Sequence, residues 1–187
     1  MAKVAKNLVL YGASGKLGDM LVIKQRAGKT ILSVAPGEST AEPSEAQKVQ
    51  RARFQQAVIY AKAQMADPDS KAAYAEKAAG GKTAYNVAVA DFFSAPDIDE
   101  IDLGSYTGAV GDTIRVRATD DFKVTQVVVT IANADGSLVE EGDAVLQPNG
   151  LDWVYTATAD NPSLEGDRIV VQAIDRPGNV TEEEQGL

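Results

Sequence analysis

Between Thr113 and Asp175 apolar residues recur at every second position in four separate runs. Ile114, Val116 and Ala118 alternate with Arg115 and Arg117; Val127, Val129 and Ile131 follow. Leu151, Trp153, Tyr155 and Ala157 make the third run, and Ile169, Val171 and Ala173 the fourth. A period of two places such residues on one face of a strand. Turn-forming clusters punctuate the runs, among them Asn133-Ala134-Asp135-Gly136 and Pro148-Asn149-Gly150. Short alternating strands separated in this way predict an antiparallel β-sandwich.

The preceding stretch has a different rhythm. Asn7–Tyr11 is a brief apolar run. Met20–Gln25 and Thr30–Ala35 flank Arg26-Ala27-Gly28-Lys29, which predicts a β-hairpin closed before Pro36-Gly37. Ser44-Glu45-Ala46-Gln47 then has the form of a capping box. Behind it Phe54, Ala57, Val58, Ala61 and Met65 fall on one helical stripe. Asp67-Pro68 predicts the start of a second helix that ends at Gly80-Gly81, and Thr83–Ser94 a third. The expected fold class is therefore α+β: an N-terminal hairpin with a small helical layer, then an antiparallel Ig-like sandwich.

Charge divides the chain at the same place. Residues 1–96 carry 13 Lys/Arg and 8 Asp/Glu, a net of +5; residues 97–187 carry 5 and 19, a net of −14. Two modules, 1–96 and 97–187, are expected, with Ser94-Ala95-Pro96-Asp97 as the joint. The 187 residues include no Cys and no His. Thiolate nucleophiles, disulfides, Cys/His zinc sites and His-based triads are excluded on that ground. The apolar run at Leu8-Val9-Leu10-Tyr11 stops at Gly12. It is too short for a secretory core or a membrane span. The default location is the cytoplasm, an extracellular or phage-like assembly being the other setting.

Four segments carry a resemblance. Gly111-Asp112-Thr113-Ile114, Asp120-Asp121-Phe122-Lys123-Val124, Trp153-Val154-Tyr155-Thr156 and Ala173-Ile174-Asp175-Arg176-Pro177-Gly178-Asn179 together resemble bacterial immunoglobulin-like and fibronectin-III-like domains. The last segment is similar to the A-x-D-x-x-G-N turn that links their final strands. The resemblance spans roughly residues 100–185 and implies roles in adhesion, spacing or assembly, although fold alone does not fix function. Gly15-Lys16-Leu17-Gly18, the hairpin and the helix with Gln47, Gln50, Arg51, Arg53 and Phe54 loosely resemble the start of uncharacterised bacterial proteins, and no function comes with that likeness.

Several motifs invite sharper readings. Gly12, Gly15 and Gly18, behind Leu8-Val9-Leu10-Tyr11, have the spacing of the nucleotide-binding turn of short-chain dehydrogenase-type folds, in which glycines admit a pyrophosphate at a helix N-terminus. No acidic residue closes the next strand in the required place, no further βαβ unit follows, and Tyr74 is followed four residues on by Ala78 rather than Lys. A turn between two strands explains the same letters, so no cofactor is expected. Lys48, Arg51, Arg53 and Lys62 are four charges beside a strongly acidic module, which argues for a protein-facing or solvated surface and against nucleic acid. Asp120, Asp121, Asp175 and Asn179 are candidate calcium ligands if strand ends bring them together. Turn residues of these types ordinarily cap their own backbone, so no bound metal is expected. Glu182-Glu183-Glu184 is expected as a solubilising tail, and Trp153 with Tyr155 as core.

The functional expectation is a non-enzymatic structural protein that associates head-to-tail with other copies of itself, as in a filament. The basic module, through Leu8, Val9, Leu10, Lys48, Arg51 and Arg53, meets the acidic one. Two alternatives stand beside it: a monomeric Ig-like binding or adhesion module, and an NAD(P)-binding oxidoreductase built on Gly12, Gly15 and Gly18. No nucleic-acid partner and no membrane span enter the expected picture.

Overall fold

A computed structural model of the chain describes residues 2–4, 10, 12–26, 28–35, 37 and 42–187. Its regular elements are three helices and three four-stranded antiparallel sheets, a mixed α+β fold that is mostly β. Near the start, β1 (Ala2–Val4), β2 (Gly15–Leu17), β3 (Leu21–Arg26) and β4 (Lys29–Val34) form one sheet in the order β1-β4-β3-β2. β3 pairs with β4 from Leu21 opposite Val34 to Arg26 opposite Lys29, and Gly28 takes φ 72° in the turn between them. Side chains alternate across a strand. The register therefore puts Leu17, Leu21, Ile23, Leu32 and Val34 on one face of this sheet. Lys16, Lys24, Arg26 and Lys29 share the other face with Val22 and Ile31.

Ser44 and Gln47 cap each other reciprocally and start α1 (Glu45–Ala66). Asp67 ends that helix and caps α2 (Pro68–Glu76), whose first residue needs no N–H donor. Thr83 caps α3 (Ala84–Asp91). α2 stops at Lys77, short of Gly80-Gly81, and α3 stops three residues before Ser94. The stripe expected along α1 divides. Ala57 and Ala61 are fully buried, whereas Phe54 is 52% exposed and stacks on Phe93.

The three helices pack on one another, and their apolar cluster also reaches into the second part. Ala61, Tyr74 and Ala88 share an apolar cluster with Phe122 from the second part, and the rings of Tyr74 and Phe122 lie 4.1 Å apart. Polar clamps reinforce this seam. Asn179 Nδ2 donates to the carbonyls of Phe92 and Ser94 at 3.4 and 2.8 Å. The Thr181 hydroxyl donates to the Pro96 carbonyl, and Arg176 to the Ser70 hydroxyl. Pro96 is itself fully buried. The charge boundary at Pro96 is thus no gap in the packing, since Phe122 and these clamps join the two sides.

β5 (Asp97–Asp102), β6 (Thr113–Thr119), β9 (Val145–Leu146) and β10 (Asp152–Thr156) form a sheet in the order β5-β6-β10-β9. The third sheet has the order β12-β11-β7-β8, from β7 (Val124–Ala132), β8 (Leu138–Asp143), β11 (Arg168–Asp175) and β12 (Val180–Gly186). Ile114, Val116, Trp153 and Tyr155 of the first and Val127, Val129, Ile131, Ile169, Val171 and Ala173 of the second enter one common apolar cluster. Each large aliphatic side chain buried there contributes about 1.5–3 kcal/mol. Glu182-Glu183-Glu184 is not a loose tail. It lies within β12, paired with β11 from Val180 opposite Ile174 to Gly186 opposite Arg168. Backbone ladder bonds hold this exposed edge strand where glutamate's own strand preference would not.

Candidate functional site

A group of carboxylates gathers where the helices meet the two-sheet body. Asp91, the last residue of α3, is fully buried. The Tyr74 hydroxyl donates to its Oδ2 at 2.5 Å. The Tyr60 hydroxyl stands 3.4 Å from the same oxygen and 2.7 Å from the Tyr74 hydroxyl. Asp91 Oδ1 has no hydrogen-bond partner. Burial above all, and then the charges of Asp120, Asp121 and Asp175, push this carboxyl up to about 6 against the opposing pull of the Tyr74 hydroxyl. Burial also raises both tyrosines, Tyr60 to about 12. The pair therefore stays protonated and able to donate.

Asp120 and Asp121 come from the turn between β6 and β7. Asp120 Oδ2 accepts the N–H groups of Phe122 and Lys123 at 3.0 and 2.7 Å, an ordinary turn cap, while its Oδ1 is buried without a partner. Asp121 is exposed and accepts the Ser94 hydroxyl at 3.1 Å. One carboxylate oxygen from each of Asp91, Asp120 and Asp121 lies within 4.8 Å of the others. A cleft of about 250 Å³ opens alongside, lined by Lys77, Asp120, Phe122, Lys123 and Trp153. All-oxygen donors of this kind suit hard cations.

Asp175 and Asn179, placed beside Asp120 and Asp121 as candidate ligands, are committed elsewhere. Asp175 Oδ1 accepts the N–H groups of Gly178 and Asn179 at 2.8 and 2.6 Å, and its Oδ2 accepts Asn179 Nδ2 at 2.7 Å. Asn179 turns its amide nitrogen toward the helices, so the A-x-D-x-x-G-N turn serves as a latch. Asp91 was not singled out by its sequence context. Its signal was a lone acid within the apolar run Val87–Phe93, a position that costs free energy unless the carboxylate is partnered.

Of the residues expected to mediate association, Lys48, Arg51 and Arg53 lie on α1. Leu8 and Val9 lie outside the described residues. Leu10 sits in a turn, where its carbonyl accepts the Ala13 N–H at 3.2 Å and the Thr30 hydroxyl at 3.4 Å, so it offers no strand edge. Lys48 is engaged by Glu45 at 2.8 Å. Arg51 lines a shallow concavity with Gln47, Gln50, Phe54 and Gln55, and Arg53 lies over the Phe93 ring at 5.3 Å. Gly12, Gly15 and Gly18 all take positive φ, but the chain runs on into β3 and not into a helix. Among the described residues no helix begins at that turn.

No protein-family model matches the chain, and no curated protein matches it. A crystal structure of an engineered protein resembles it with a TM-score of 0.36 and 16% identity, over 55% of this chain and 25% of that one. The chain thus spans about a quarter of that protein's length. Among the described residues no helix is long and apolar enough to cross a membrane.

Proposed function

We propose that this is a non-enzymatic structural protein whose copies associate head-to-tail, the N-terminal sheet of one docking on the acidic body of the next. One observation carries the reading: among the described residues the apolar face of the sheet β1-β4-β3-β2 is half-buried at Leu21, Ile23 and Leu32 and open at Leu17 and Val34. Leu17 and Val34 are 64% and 79% exposed, and among the described residues no side chain of this sheet belongs to either apolar cluster. A single sheet layer needs a second layer to bury its apolar side. A contiguous exposed apolar face marks an interaction surface.

Charge favours a second copy as that layer. Residues 1–41 carry 6 Lys/Arg against 2 Asp/Glu, and residues 42–187 carry 12 against 25. Opposite signs steer unlike ends together, and a contact between unlike ends builds a ring or an open filament. Edge strands β5 and β12, with Asp97, Asp99, Glu100 and Asp102 on one and Glu182 to Glu184 on the other, are the acidic surface in this scheme. We read the two-sheet body as an immunoglobulin-like sandwich. Its strand orders match those of four strands facing three in that fold, with one strand added to the second sheet.

Light scattering through a salt series tests the proposal. The mass should exceed that of one chain at about 50 mM salt and fall toward it as screening shortens the reach of charge. A single chain's mass at every salt and protein concentration would overturn the reading.

A further inference from the structure

We propose that Asp91, Asp120 and Asp121 form a calcium site at the seam between the helices and the two-sheet body. The cluster of acids is one observation. The second is that two of its oxygens, Asp91 Oδ1 and Asp120 Oδ1, are buried and have no donor. Asp91 as a whole is fully buried, so neither solvent nor a protein hydrogen meets that oxygen. Buried carboxylates are ordinarily paired or bound to a metal. A buried acceptor without a donor points to an ion or water in the space it faces.

The charged surroundings match. Among the described residues no Lys or Arg makes an ion pair with Asp91, Asp120, Asp121 or Asp175, whereas Arg115, Arg117 and Arg168 all hold acids elsewhere on the body. Arg176 is stacked over the Tyr74 and Phe122 rings and donates to Ser70, while Lys77 and Lys123 line the cleft beside Asp120 without pairing with these acids. Asp175 adds a further negative charge that acts on Asp91 while its own oxygens cap a turn.

Calcium suits the donor set better than other divalent ions. It takes six to eight oxygens at about 2.3–2.6 Å in flexible geometry. Oxygens within 4.8 Å of one another can therefore share one such ion. Without His or Cys nothing here selects zinc or copper. Asp121 is exposed, so water completes the shell from its side. The bound ion would fasten the end of α3 to the β6–β7 turn, neutralising the charges that now repel across the seam.

The test uses the full chain, stripped with a chelator and then titrated with Tb³⁺ and Ca²⁺. Tyr60 and Tyr74 adjoin Asp91, so Tb³⁺ bound there should emit when tyrosine is excited, with one site per chain. Ca²⁺ should displace it, and Mg²⁺ at the same concentration should not. Asp121→Asn, at an exposed position, and Asp120→Asn, which keeps a turn-capping oxygen, should each weaken Ca²⁺ binding at least ~10-fold. The wild-type chain should also melt about 5 °C higher with Ca²⁺ than with chelator. Equal Ca²⁺ affinity in wild type and both variants would overturn the site, as would Tb³⁺ emission indifferent to them. Displacement by Mg²⁺ at calcium-like concentrations would overturn the assignment to calcium. Because each readout is per chain, none depends on whether copies associate.

Discussion

At the scale of single residues, the sharpest constraints come from backbone positions that admit no side chain. Gly108 takes φ +91°, and a Cβ there would stand 2.2 Å from the Asn161 carbonyl oxygen. That carbonyl cannot retreat freely, because the N–H of Asn161 donates to the Gly108 carbonyl at 2.7 Å and its side chain holds Tyr106 and Asp167. Gly136 has a similar φ of +84°, yet a Cβ there meets only the end of the Arg168 side chain at 3.6 Å. Gly136→Ala should therefore cost about 1 kcal/mol for the backbone alone, and Gly108→Ala clearly more, above about 2 kcal/mol. Urea unfolding of the two variants checks the ordering. Equal losses would mean that the Asn161 loop yields.

At the scale of elements, the outer face of the first sheet of the body is organised by two arginines of β6. Arg115 reaches Glu100 and Asp102 of β5 at 3.1 and 2.9 Å, and Arg117 donates through Nε to Asp152 of β10 at 2.9 Å. Arg117 and Asp152 are also direct cross-strand partners. The Arg117 hydrogen bond, followed by that from Asn149, holds the Asp152 carboxyl below the ordinary carboxylate range. A depressed folded-state pKa contributes stability above the unfolded value, and that contribution is lost as pH falls through the folded one. Asp152→Asn should thus be less stable than the parent at pH 7, with the gap closing as pH falls below the ordinary Asp value of about 3.9 and through the depressed one. Denaturant melts at stepped pH measure it. A gap unchanged across that window would assign the effect to packing.

At the scale of the whole molecule, the contacts that hold residues 42–187 together lie, among the described residues, within that stretch. Both apolar clusters, the latch of Asp175 and Asn179 and the arginine network lie there. Deleting residues 1–41 should therefore leave the melting temperature within about 3 °C and the β-rich circular dichroism in place. The same deletion should leave a single chain at low salt, since the N-terminal sheet has gone. A large fall in melting temperature would show that the sheet packs on the body in solution.

The amino-acid sequence alone determined what depends on near neighbours. Period-two runs such as Ile114-Val116-Ala118 marked strands, because alternation is a property of the strand itself. The Ser44–Gln47 box, Asp67-Pro68 and Thr83 marked helix starts, because a cap acts within three residues. The opposition of basic and acidic stretches was plain from counting. Elements whose strand character comes from a neighbour were hidden: β5 and β12 are rich in Asp and Glu, and only pairing with β6 and β11 makes them extended. Phe54 read as core by its period, but it is half exposed and meets only the ring of Phe93 among the aromatic pairs. Only the tertiary structure brought Asp91 from α3 against the β6–β7 turn and left two carboxylate oxygens without donors. Such a meeting depends on how sheets and helices stack, and stacking is fixed by contacts between residues far apart in the chain, about which a local pattern carries no information.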